Sequence, residues 1–161
     1  MQIKFKRVMA DAENIDDFKW FVSSAQNKTK DKESLNYQEI WIDNVLEGYI
    51  ATNDYNHKAS ESRMLCIVDI FLHESNFERV LDEFIRKNKK DYYQIYTWQD
   101  KNDIAMLDVY KKLGVFLVAD PTAPFRITKD YTRDGLIELE GKLAVLLYED
   151  GERYKGSELD V

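Results

Sequence analysis

The chain has 161 residues, 33% of them charged and 44% hydrophobic, which describes one folded domain rather than a disordered segment. Its net charge of −7 excludes a broad nucleic-acid footprint, which needs clustered Lys and Arg. One cysteine, Cys66, rules out an internal disulfide, and two histidines with one cysteine give no metal-ligand spacing. No apolar run approaches the ~20 residues of a membrane span, and the first residues do not lead into a signal-peptide core. The expectation is a cytoplasmic protein that binds neither membrane, nucleic acid nor metal.

In chain order, Ile3–Val8 alternates apolar and polar residues as a half-buried strand does. Asp11 or Asn14 is placed to cap a helix whose stripe is Ile15, Phe18, Val22 and Ala25, widened by Trp20 and Phe21. The charged stretch Asn27–Asn36 reads as a solvated loop or frayed helix with no function. Two alternating arms, Ile40–Ile42 and Val45–Ile50, flank Asp43-Asn44, both tolerant of positive φ, so a hairpin is predicted. Gly48 inside the second arm predicts a bulge or a close backbone approach.

Met64–Leu72 is apolar but for Asp69, as suits a strand covered on both faces. From Asn76 to about Asn88, Phe77, Val80, Leu81, Phe84 and Ile85 form one helical face, with Ser75 or Asn76 as the cap. A strand Tyr93–Trp98, a helix Asp103–Leu113 stopped at Gly114, and a strand Val115–Val118 follow. Ile104, Leu107 and Tyr110 are predicted to share that helix's buried face. Single helices between strands imply βαβαβ with largely parallel neighbours. Pro121 and Pro124 then break the chain, and Phe125–Ile127 resumes an extended path. Asp130–Gly141 reads as a charged connection, and Leu143–Tyr148 as a late strand beside Val115–Val118. Residues 1–148 are expected to form one domain, and 149–161 a polar tail.

The segment Asp103–Val115 carries a family resemblance. It resembles the stretch of GNAT-superfamily N-acetyltransferases in which Asn, a small residue and Tyr-x-x-x-Gly-Phe close the acetyl-CoA site. Tyr110, Leu113 and Gly114 match in type and spacing. Asp103 stands where the family has Asn, with Asn102 one residue early; Met106 replaces Ala and Val115 replaces Phe. The order of elements over 1–148 is also similar. The resemblance implies an α/β (α+β) fold: a mixed, centrally parallel, twisted sheet of six to seven strands flanked by three to four helices.

It further implies an acyl-CoA-dependent N-acetyltransferase acting on a primary amine of a small molecule or peptide. Acetyl-CoA would lie where Met64–Leu72 and Tyr93–Trp98 part, its pantetheine arm on the backbone of Phe71 and Leu72. The same resemblance assigns the catalytic base to Asp69, the acid that protonates the thiolate to Tyr110, and further cofactor contacts to His73, Ser75, Asn76 and Asn102.

One departure stands out. In the family a glycine-rich turn binds the CoA pyrophosphate through backbone N–H groups at a helix N-terminus. Here that stretch is His73–Val80, without glycine and with Glu74 and Glu78. Like charges a few ångströms apart cost on the order of 1 kcal/mol even when solvated, against ~0.3–1 kcal/mol returned by the helix dipole. The alternative is therefore a GNAT-like regulator or inhibitor that binds a protein or small-molecule partner without CoA chemistry. A homodimer through sheet edges is open to either.

Overall fold

A computed structural model describes residues 1–11, 16–57, 62–92, 94–100, 102–113, 116–118, 138–139 and 142–149. Its elements are β1 (Ile3–Val8), α1 (Asp16–Gln26), a 3-10 turn (Lys32–Ser34), β2 (Asn36–Ile42), β3 (Val45–His57), β4 (Ser62–Phe71) and α2 (Glu74–Asn88). They continue with β5 (Gln94–Asp100), α3 (Ile104–Lys112), β6 (Phe116–Val118), β7 (Glu138–Leu139) and β8 (Lys142–Glu149). The strand order is β1-β2-β3-β4-β5-β8-β6, with β7 beside β8. Antiparallel pairs and a helical crossover from β4 to its neighbour β5 make this a mixed sheet, and the fold is α/β. No described helix is long and apolar enough to cross a membrane.

The chain forms two compact units. The first comprises Met1–Asp54 with Ile67–Glu83, the second Tyr55–Cys66 with Phe84–Val161. In the first, β1 pairs with β2 and β2 with β3. The hairpin between β2 and β3 turns where the sequence places it, with Asp43 at φ 48° and Asn44 at φ 68°. Two successive left-handed residues match the twist of the flanking strands. Ile40 faces Gly48 but Trp41 faces Leu46, so Glu47 is the extra residue of a bulge. Phe18, Phe21 and Ala25 of α1 are buried on Tyr37, Tyr49 and Ala51. Phe21 stacks on Tyr49 at 5.7 Å, and Phe18 meets Tyr37 edge-on at 6.0 Å. Trp20, expected in the stripe, is 61% exposed. Ile15 and the cap candidate Asn14 lie outside the described residues.

Met64, Leu65, Cys66 and Ile67 are buried in succession, as a strand covered on both faces requires. On α2, Phe77, Val80, Leu81 and Phe84 are buried and Ile85 half-buried.

In the second unit β8 pairs antiparallel with both β5 and β6. The βαβαβ reading had β6 following β5 in the sheet; β8 stands between them instead. The longer, apolar β8, with Val145, Leu146 and Leu147 buried, suits the inner position, and a strand of three residues suits the edge. β8 reaches Glu149, opposite Gln94, and the two-residue β7 falls in the stretch read as a connection. Gly114, both prolines, Phe125–Ile127 and residues 150–161 lie outside the described residues.

Candidate functional site

Asp69 lies near the end of β4 with a side chain only 9% exposed. One carboxylate oxygen accepts from the Lys28 ammonium at 2.7 Å and from the Ile70 N–H at 3.0 Å; the other accepts from the Ser24 hydroxyl at 2.8 Å. Ser24 and Lys28 are four residues apart, one in α1 and the other in the turn after it, so they reach the same point. A cation, a hydroxyl and an amide thus converge on the one carboxylate, each donating to it. An amine arriving at Asp69 therefore meets a site already holding an ammonium.

Two residues further along β4, Phe71 points to the same face as Asp69. Its ring meets Trp20 at 5.8 Å, one helical turn before Ser24, and Tyr49 at 6.4 Å. The Phe71 carbonyl lies against Gly48, where an added Cβ would sit 2.0 Å from the oxygen. Both readings of that glycine hold: it adjoins a bulge, and it admits another backbone. Tyr49 is buried among these rings, and burial raises its hydroxyl above the usual range, with Glu39 and Asp17 adding to the shift.

The first turn of α2 begins at Glu74, so the capping position is His73 rather than Ser75 or Asn76. His73 Nδ1 lies 3.2 Å from the Ser75 N–H and 2.8 Å from the Ser75 hydroxyl, and the His73 carbonyl accepts from the Asn76 N–H at 3.0 Å. With its proton on Nε2, the ring closes the cap as an Asp or Ser side chain would. Two of the four N–H groups that a helix N-terminus leaves unbonded are thereby taken. Glu74 and Glu78 are exposed beside them. The residues present do not fit a pyrophosphate held at this turn in the family's manner.

In the second unit, Asn102 is exposed, its N–H bonded to the Asp100 side chain at 2.8 Å. Asp103 caps α3, accepting from the Met106 N–H at 3.1 Å, which gives a structural reason for an aspartate at that position. Tyr110 is 3% exposed, whereas Ile104, expected on the same buried face, is 69% exposed at the first turn.

The structure thus gathers Asp69, Ser24 and Lys28 in one cluster and His73, Ser75 and Asn76 in another. Sequence reading missed Ser24 and Lys28. Lys28 lies in the stretch taken as a loop without function, and only its position four residues beyond Ser24 hints at a shared face.

No family model matches the sequence, and no curated protein is similar to it. Solved structures are similar in fold. An acetyltransferase from Bacillus subtilis in complex with CoA is 18% identical, covers 91% of this chain and 99% of its own, and has a TM-score of 0.55. The N-acetyltransferase PseH of Campylobacter jejuni in complex with acetyl coenzyme A is 13% identical, with 92% and 100% covered and a TM-score of 0.57. An N-acetyltransferase from Staphylococcus aureus gives 13%, 92%, 98% and 0.56. At such identities the likeness is one of fold. That fold is the one of the GNAT acetyltransferases.

Proposed function

We propose that the chain is an acetyl-CoA-dependent N-acetyltransferase acting on a primary amine, with residues 1–148 working as one GNAT-like domain. The observation that carries this reading is the fold shared with the whole length of acetyltransferases solved with CoA or acetyl coenzyme A. Asp69 receives a proton from the acceptor ammonium, directly or through water. The freed amine attacks the thioester carbonyl, polarised by a backbone N–H near Leu72, and Tyr110 protonates the departing thiolate. Phe71 and Leu72 contribute backbone to the pantetheine arm. An acidic protein attracts a cationic amine, whether a small molecule or a peptide.

A second reading rests on the first turn of α2. With two N–H donors taken by His73 and carboxylates beside them, a protein of this fold acts by binding a protein or small-molecule partner without CoA chemistry. Calorimetric titration with acetyl-CoA separates the two. A dissociation constant weaker than about millimolar, roughly 4 kcal/mol of binding, refutes the enzyme. If binding is tighter, Tyr110→Phe is expected to slow turnover while leaving the constant unchanged. Unaltered acyl transfer in that variant removes Tyr110 from the acid role.

A further inference from the structure

The contact between Lys28 and Asp69 has the composition of a Michaelis contact within the chain itself. The carboxylate assigned as base is 9% exposed and already holds a primary ammonium at 2.7 Å. That distance meets the geometric requirement for a general base, which must lie within hydrogen-bond reach of the proton it removes. The Ser24 hydroxyl donates to the other carboxylate oxygen at 2.8 Å, which favours this orientation of the acid. Lys28 keeps 45% of its side chain in solvent, so the residue lies at the surface rather than sealed in the core. Lys4, Lys19 and Lys30 are exposed on the surface as well and serve as the comparison.

We propose that Lys28 is an acetyl acceptor of this protein, modified within its own molecule. The inference rests on the acetyltransferase reading. In the step, Asp69 takes one proton from the Lys28 ammonium, and the nitrogen lone pair adds to the thioester carbonyl of acetyl-CoA. The C–N bond forms, the C–S bond breaks, and the electron pair leaves on the CoA sulfur, which is protonated to the thiol. The products are N-acetyl-Lys28 and CoA; of the two protons the nitrogen loses, the one taken by Asp69 passes to solvent and regenerates the carboxylate, and the other ends on the CoA sulfur. No oxidant or metal enters the balance. Acetylation removes the positive charge from Asp69 and leaves Ser24 as its side-chain partner among the described residues. The carboxylate is then free to hold the ammonium of a second amine, so the modification prepares the site for an external acceptor.

The test is incubation of the purified chain with acetyl-CoA, followed by peptide mass spectrometry over time. Lys28 is expected to gain an acetyl group faster than Lys4, Lys19 and Lys30, at a rate per molecule that does not change when the protein is diluted. Asp69→Asn, which retains the shape and an acceptor for Ser24, is expected to slow the modification by about a hundredfold, the lower end of a positioned base's contribution. Circular dichroism on that variant verifies that it is folded, and unfolded wild-type protein gives the chemical background rate. Equal rates at Lys28 and the exposed lysines overturn the proposal, as does faster acetylation in Asp69→Asn, which would make the carboxylate a shield. Should Lys28 stay unmodified while calorimetry shows acetyl-CoA bound, the acetyltransferase reading survives and this inference alone falls. Without binding, both fall.

Discussion

Replacing Gly48 by alanine tests the contact on which β3 and the end of β4 depend. The new Cβ would lie 2.0 Å from the Phe71 oxygen, 3.1 Å from its carbonyl carbon and 3.2 Å from Leu72 Cδ1. Real Cβ contacts essentially never fall under 3.0 Å, so the two strands must separate by about 1 Å or more. The obstacle is a peptide carbonyl and cannot rotate aside as a side chain can. Overpacking of this kind costs roughly 1–3 kcal/mol, offset by the ~0.5–1 kcal/mol that a strand glycine sacrifices in entropy. The net loss is about 1–2 kcal/mol, or roughly 2–8 °C in Tm for a chain of this size. Thermal unfolding followed by circular dichroism reads it, and a lower urea midpoint at unchanged slope corroborates it. Glu47→Ala, at the exposed bulge residue beside it, serves as control and should shift stability by less than about 0.5 kcal/mol. A Gly48→Ala protein with a Tm within about 1 °C of wild type would refute the close approach. Because the shifted carbonyl belongs to Phe71, the same variant is expected to weaken acetyl-CoA binding if that backbone holds the pantetheine arm.

Asp103→Ala should cost about 1 kcal/mol through loss of the cap on Met106 N–H, and Asp103→Asn much less, since Asn caps almost as well. Chemical denaturation of the pair measures the difference; equal losses would refute the capping role. The tyrosines predict an alkaline limit. Burial raises the Tyr49 hydroxyl, with help from Glu39 and Asp17, and burial raises Tyr37. In the unfolded chain these phenols ionise near pH 10, so above that pH the unfolded state loses protons that the folded state retains. Stability is therefore full below about pH 10 and declines as pH rises towards the folded values. Tyr49→Phe is expected to move the alkaline unfolding midpoint upward relative to its neutral-pH stability; an unmoved midpoint rejects the assignment.

Local physics explains what could be read without coordinates. The Asp43-Asn44 turn, the face of α2 and the close approach at Gly48 are written in a few adjacent residues, because positive φ, helical spacing and the lack of a Cβ are local properties. The insertion of β8 between β5 and β6 is not, since antiparallel pairing joins segments whose sequences say only that each is apolar. The site divides the same way. Asp69 was legible as a lone charge in an apolar strand, but its partner Lys28 lies 41 residues earlier in the chain, in a stretch whose polarity matches any surface loop. His73 was misplaced for a related reason. Ser and Asn are commoner caps, and a histidine ring fills that role only when its Nδ1 turns back on the following turn.

That cap also decides how CoA, if bound, must be held. A helix opening that offers free N–H groups to a phosphate supplies charge-assisted bonds, each worth ~1.5–3 kcal/mol. In this chain the Ser75 and Asn76 donors are spent on His73, and Glu74 and Glu78 repel a dianion. Two forfeited bonds alone amount to roughly 3 kcal/mol or more, a factor of about a hundred in affinity. Binding would then depend on the pantetheine arm, whose proposed contacts with the Phe71 and Leu72 backbone would need no particular side chain. Acetyl-pantetheine, which lacks the nucleotide and pyrophosphate, is accordingly expected to bind within about threefold of acetyl-CoA in side-by-side calorimetry. A preference for acetyl-CoA of about a hundredfold would mean that the phosphates are gripped after all, and that the His73 cap opens to admit them.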